Sequence, residues 1–368
     1  SWAKHIYWGN LRSPMNAHNP EWTVEAALEF IEENKDRPFY LHYCTTLLHG
    51  GSNQWLRSLE RPRVSGEGML EKPPAVMPER ATVLDRIRER GLDEQAAGYT
   101  WLDDSVGAVL RKLDELGIAE NTLFVFITDH GSDFKASLYD RDGTSIPCII
   151  RWPGHVQAGA VCDELVQNID FVPTFFDVAE AEAPRSYQRD GMSLAPLFAG
   201  DKVEWRDHLY FEMGHARAVR TRDWKYIAVR YSAERIERIR GASLAQLPRT
   251  LGYIENLGLS SRGMTRNPNY LHYDQLYNLK NDPAEMTDLA GKPEHAERLK
   301  EMKERLLTSL RSFPDRPFGE FIPGRNAVGP GTIDDRIEDM KKVRVQGKEV
   351  TVIGEDAGES GRRRRGRR

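Results

Sequence analysis

The chain is poor in cysteine: Cys44, Cys148 and Cys162 are the only three in 368 residues. So low and odd a count excludes a disulfide framework, and no pair has the spacing of zinc ligands. Cys44 and Cys148 sit in apolar runs and read as small buried hydrophobes. Long apolar runs are missing as well. None approaches the roughly 18 residues that a membrane span requires, so no membrane span is expected. No apolar leader segment follows Ser1 and no methionine heads the chain, so its start does not report a compartment. Internal repeats are absent. The chain also lacks an excess of one charge: 52 Lys and Arg against 56 Asp and Glu leave −4. That balance argues against nucleic acid as a partner. The arginines Arg362–Arg365, Arg367 and Arg368 follow a stretch containing Gly and Glu and read as a solvated tail.

What the chain does contain is helix-strand alternation. Val24, Ala27, Leu28 and Ile31 recur at helical spacing and predict a helix over 21–34. An apolar, strand-like run follows from Phe39 to Leu48. Leu102, Val106, Val109, Leu110 and Leu113 predict a second helix over 98–116, with Gly117 at its C-terminal turn. Leu123–Ile127 and Ile146–Trp152 are short apolar runs bounded by turn residues, as strands buried on both faces are. Residues 168–179 read as a helix. After residue 200 the pattern changes to short aromatic and Arg-rich strands over 209–229, with a helix over 294–310. The expected fold is therefore α/β: a mostly parallel sheet sandwiched by helices, followed by a small α+β subdomain. The expected boundaries are 1–205 for the main domain and 206–312 for the subdomain, which carries an insertion at 233–270. Residues 313–368 are expected to be irregular.

The chemistry clusters at strand ends. In open α/β sheets, ligands bind beyond the carboxyl ends of the strands. His49 follows the 39–48 run, Asp129 and His130 follow the 123–127 run, and Lys135 lies in the next loop. A hard cation favours carboxylate oxygens such as those of Asp129. Lys and His donors suit the oxygens of an anionic substrate. A metal with such donors would stabilise a tetrahedral oxyanion, sulfate or phosphate.

The ordered motifs resemble the sulfatase branch of the alkaline phosphatase superfamily. They run from Pro38-Phe39-Tyr40-Leu41 leading to His49, through Leu102-Asp103-Asp104-Ser105-Val106-Gly107, to Thr128-Asp129-His130-Gly131. Lys135 then precedes Tyr139-Asp140, and Pro147–Gly154 follows. The segments 163–177, 190–194, 217–226 and 276–285 continue the match, which covers roughly residues 20–312. The resemblance implies a formylglycine-dependent sulfuric ester hydrolase with calcium as its divalent metal. Asp129 and His130 would occupy metal-ligand positions, although His130 stands where many relatives carry Asn. Lys135 and His49 would be the catalytic and substrate-binding contacts to the sulfate ester, with a sulfated polysaccharide as its expected carrier. Relatives are commonly exported to a periplasmic or extracellular location.

The chain departs from the family in one respect that matters. Formylglycine arises from Cys or Ser in a C/S-x-P-x-R motif, and none of the three cysteines, nor Ser13-Pro14, has that context. The upstream aspartate pair is missing too. The chain is accordingly expected to be the C-terminal two-thirds of such an enzyme, inactive as this fragment. A phosphoester hydrolase or transferase of the same superfamily, or a non-catalytic anion- or glycan-binding remnant, are the alternatives. The Arg-rich stretch 233–270 is expected to be a solvated loop, the rival reading being a rim for a sulfated glycan.

Overall fold

A computed structural model describes residues 17–66, 68–131, 137–253, 266–313, 333–341, 344–345 and 348–349. The chain forms two compact units. One runs to Phe124 and includes Ile150–Ala158; the other comprises Val125–Ile149 and the chain from Gly159 onward.

Four helices build the first unit: α1 (Pro20–Asn34), α2 (Ser52–Leu59), α3 (Ala81–Glu89) and α4 (Ala96–Glu115), with a short hairpin of β1 (Val64–Ser65) and β2 (Gly68–Met69). Pro20 opens α1, and the Asn19 side chain accepts the Trp22 N–H at 3.2 Å, so one orphan donor of the first turn is satisfied. The apolar stripe read from the sequence buries Ile31 against Val109, Leu113 and Ala119. At the start of α1 the buried Glu21 carboxylate accepts at Oε1 from Arg80 Nε at 2.9 Å and the Trp101 indole at 2.8 Å, and at Oε2 from Arg80 Nη2 at 2.5 Å. Each carboxylate oxygen thus has a donor, which a buried charge requires. Gly98 lets α2 approach α4, because a Cβ there would lie 2.6 Å from the Trp55 ring.

The run 39–48 joins no ladder among the described residues, and Tyr40, His42 and Cys44 along it are exposed. All three cysteines are exposed, contrary to the reading of Cys44 and Cys148 as buried hydrophobes. An apolar run fixes which residues favour burial but not which neighbour covers each face.

Strands β3 (Phe124–Ile127) and β4 (Cys148–Arg151) pair as a two-stranded sheet. The second unit adds α5 (Phe171–Val178) and α6 (Ala195–Phe198). Its centre is an antiparallel sheet of β5 (Leu209–Met213), β6 (Ala216–Arg220), β7 (Trp224–Val229) and β8 (Asp274–Asn278), in that order. Pairing sets Val219 opposite Tyr226 and Tyr226 opposite Leu276. Side chains alternate across such a sheet. Val219, Tyr226, Ala228 and Leu276 meet Met302, Leu306 and Leu310 of α9 (Ala296–Arg311) on one face. On the other face Ala216, Ala218, Ile227 and Val229 meet α7 (Ala233–Gly241) and α8 (Leu247–Leu251) through Ile236, Ile239, Leu247 and Leu251. Residues 233–253 are thus a helical layer of the core and not a solvated loop. Arg235, buried within it, donates to the main-chain carbonyls of Thr250 and Arg249. A last helix, α10 (Asp334–Lys341), follows.

An ionic network lies on the inner face of the sheet. Lys225 is fully buried; its Nζ is 2.6 Å from Asp140 Oδ1 and 3.5 Å from Glu285 Oε1. Arg220 Nε holds the other Asp140 oxygen at 2.6 Å, and the Asp140 N–H donates to Glu285 Oε2 at 2.5 Å. Thr144 Oγ1 donates to Asp140 at 3.0 Å. Burial raises the Asp140 carboxyl, but Lys225 and Arg220 outweigh it and hold the group well below the usual range. Burial, helped by the Asp140 charge, pushes Glu285 up towards 7.

Two expectations follow from this packing. Gly98→Ala gains helix propensity but forces the Trp55 ring aside, for a net loss on the order of 1–2 kcal/mol. Urea unfolding followed by tryptophan fluorescence checks it, and an unchanged midpoint would contradict the close approach. Glu285 binds its proton more tightly folded than unfolded, so its contribution favours folding at low pH and is lost as pH rises from about 4.5 to 7. Glu285→Gln should therefore remove a loss on the order of 1 kcal/mol per pH unit across that window. Melting temperatures at several pH values report it; parallel curves for the two proteins would refute the shift.

Candidate functional site

Strand β3 ends at Ile127, and the chain turns through Thr128, Asp129, His130 and Gly131. The turn is held from two sides. The His130 N–H donates to Asp129 Oδ1 at 3.0 Å, and the Gly131 N–H donates to the Gly143 carbonyl at 3.0 Å. Gly143 lies in the π-helical turn Asp140–Thr144, whose first residue is clamped by Lys225 and Arg220. The buried ionic network therefore fixes one support of the Asp-His-Gly turn.

The side chains of Asp129 and His130 meet. His130 Nδ1 is 2.6 Å from the Gly131 carbonyl, which can only accept, so this nitrogen carries the proton. In the neutral ring Nε2 then bears the lone pair, and it lies 3.3 Å from Asp129 Oδ2. Two lone-pair atoms so close require a proton or a cation between or before them. The Asp129 side chain is 87% exposed, leaving lone pairs open on that side. A carboxylate with an adjacent imidazole fits a divalent cation as two of its ligands. Among the described residues no three His, Cys, Asp or Glu side chains gather as a complete metal site.

His49 belongs to the first unit and is exposed, at the end of a turn in which its N–H donates to the Thr46 carbonyl at 3.0 Å. Its own carbonyl accepts from the buried Trp55 indole at 3.0 Å. Lys135 lies outside the described residues. The structure thus brings Asp129 and His130 together, and describes His49 within its own unit.

The Lys225–Asp140 pair and one histidine were not singled out from the sequence. Lys225 and Asp140 were noted as parts of motifs but not as partners; the signal was available, because Lys225 shares a strand phase with Ile227 and Val229 and so must face the core. The other is His18, fully buried, with Nδ1 2.8 Å from Thr46 Oγ1. Nothing local marks it, since its partner is 28 residues away.

The chain is similar to known sulfatases. The sulfatase family model matches residues 4–181, and the model for the C-terminal region of N-sulphoglucosamine sulphohydrolase matches residues 129–239. An ulvan-active sulfatase of Formosa agariphila is 30% identical over 212 residues, covering 55% of this chain and 39% of the relative. An N-acetylglucosamine-6-O-sulfatase of Bacteroides thetaiotaomicron is 26% identical over 233 residues, covering 58% and 34%. The match thus spans less than half the length of either relative. A solved structure in complex with its substrate D-glucosamine-2-N,6-O-disulfate superposes with a TM-score of 0.55 at 18% identity, over 82% of this chain and 71% of that one. That likeness establishes the alkaline phosphatase-like α/β fold. The two family models overlap and together match residues 4–239, and over that span the chain belongs to the sulfatase family.

Proposed function

We propose that the chain supplies part of the site of a sulfuric ester hydrolase acting on a sulfated glycan. The observation that carries this reading is the Asp129–His130 pair, an imidazole nitrogen 3.3 Å from a carboxylate oxygen at the end of β3. Asp129, with His130 beside it, would hold a calcium ion. That ion, when bound, offsets negative charge on the sulfate. His49 and Lys135 would donate to sulfate oxygens, and Lys135 would also offset charge on the leaving oxygen. The nucleophile would be a formylglycine. The one Ser-x-Pro-x-Arg string, Ser312-Phe313-Pro314-Asp315-Arg316, comes after the other motifs of the resemblance instead of before them, so no step is assigned to it. The exposed arginines Arg238, Arg240 and Arg249 of the helical layer offer charge to a polyanionic chain. The glycan reading draws on relatives described as ulvan-active and as N-acetylglucosamine-6-O-sulfatase. Export, common among sulfatases, is proposed alongside; no described helix is long and apolar enough to cross a membrane.

Calcium should raise the melting temperature of the protein, as a ligand of the folded state does. Asp129→Asn should cancel the rise, and an equal rise in both proteins would sink the metal assignment. These 368 residues should not turn over an aryl sulfate even with calcium, because positioning groups do not replace a nucleophile. Turnover above background would overturn that account of the missing formylglycine, and turnover of an aryl phosphate instead would favour the phosphoester reading.

A further inference from the structure

We infer that His18 is a positioning residue for His49, fixing the turn from which the His49 side chain is presented. The inference rests on the reading of His49 as a sulfate contact.

Four observations converge on the turn at residues 46–49. His18 is fully buried immediately before α1, and its main-chain N–H donates to Ser58 Oγ at 3.0 Å. Ser58 Oγ donates in turn to the Gln54 carbonyl at 2.7 Å, so the His18 backbone is tied to α2. Its Nδ1 is 2.8 Å from the Thr46 hydroxyl, at the first residue of the turn. The turn itself is closed by the His49 N–H, which donates to the Thr46 carbonyl at 3.0 Å. The buried ring therefore holds the first residue of the turn that ends at His49.

The ring is suited to this. A neutral imidazole carries one donor and one acceptor on opposite sides. The Thr46 hydroxyl, which can donate or accept, suits either role of Nδ1. Burial holds His18 down to about 4, with the nearby His49 acting in the same direction, so the ring is neutral near pH 7 and the arrangement is fixed. The His49 carbonyl also accepts from Trp55, which is seated against Gly98 of α4. Two rigid aromatic groups thus clamp the turn that carries His49, while its side chain stays exposed. Displacements of about 1 Å in a contact group cost as much as 100-fold in rate, so support of this kind is consequential.

The test compares His18→Phe, which keeps the buried ring without its nitrogens, with His18→Gln, whose amide can again bond the Thr46 hydroxyl. The readouts are the ring resonances of His49 in nitrogen-15 NMR and their response to inorganic sulfate. His18→Phe should move the His49 ring resonances and weaken the sulfate response about tenfold, and His18→Gln should restore both in large part. Thr46→Val, which removes only the hydroxyl, should give a smaller shift in the same direction and serves if His18→Phe does not fold. Unchanged His49 resonances and sulfate response in whichever of His18→Phe and Thr46→Val is folded would overturn the inference. His49→Ala separates it from the functional reading. If inorganic sulfate shifts the melting temperature of that variant as it does that of the wild type, while His18→Phe still moves the His49 resonances, positioning stands and the sulfate-contact reading fails.

Discussion

The second unit depends on one buried cation. Lys225 has no exposed surface, and a lone ammonium in that position would be lost to deprotonation or would unfold the sheet. Two carboxylates from distant parts of the chain meet it, Asp140 from the turn after β3 and Glu285 from the loop after β8. The sheet, its closing loop and the turn beyond β3 are thereby committed to one arrangement. Such networks are weak sources of net stability, since desolvation offsets most of the attraction. Here the network fixes register. Arg220 and Lys225 are opposite partners on β6 and β7, and both reach the same carboxylate. A one-residue slip would turn both cations to the α9 face and leave Asp140 buried alone.

From that constraint the candidate site follows by short steps. Asp140 begins a π turn, the turn aims the Gly143 carbonyl, and that carbonyl holds the Gly131 N–H. The chemistry-bearing pair Asp129 and His130 is adjacent and exposed. An exposed pair gains its geometry from the backbone beneath it and little from its own salt bridge, which solvent screens. The division of labour is common at sites: loops carry the groups and a rigid scaffold sets them.

Much of the fold was legible in the sequence. The helices α1, α4 and α9 and the strands β5 to β7 are long or strongly patterned, and their burial stripes fall where periodicity places them. The Asp129–His130 turn was legible as the abrupt end of an apolar run, although the two strands expected to be buried on both faces leave Ile127 and Ile149 exposed. Three features were not. The run 39–48 has strand composition, but a strand needs a partner ladder, and sequence does not supply the partner. The 233–253 segment is so rich in arginine that its apolar stripe of Ile236, Ile239, Leu247 and Leu251 was outweighed, though each of these is buried. His18 makes its contacts across 28 and 40 residues, a separation at which local pattern carries no information.

The two units hold their site elements by opposite electrostatic means. In the second, full charges meet at 2.6 Å, so the support is strong only while Asp140 stays ionised and Lys225 protonated. In the first, a neutral imidazole and an indole grip a turn through uncharged hydrogen bonds. Salt screens the exposed parts of an ionic network and leaves neutral bonds untouched. Acid acts on both, but through different groups: it discharges Asp140 only far below neutrality, whereas it charges buried His18 near pH 4. On lowering the pH, therefore, the support under His49 gives way before the support under Asp129 and His130. That order follows from burying a base in one place and pairing an acid with two cations in the other.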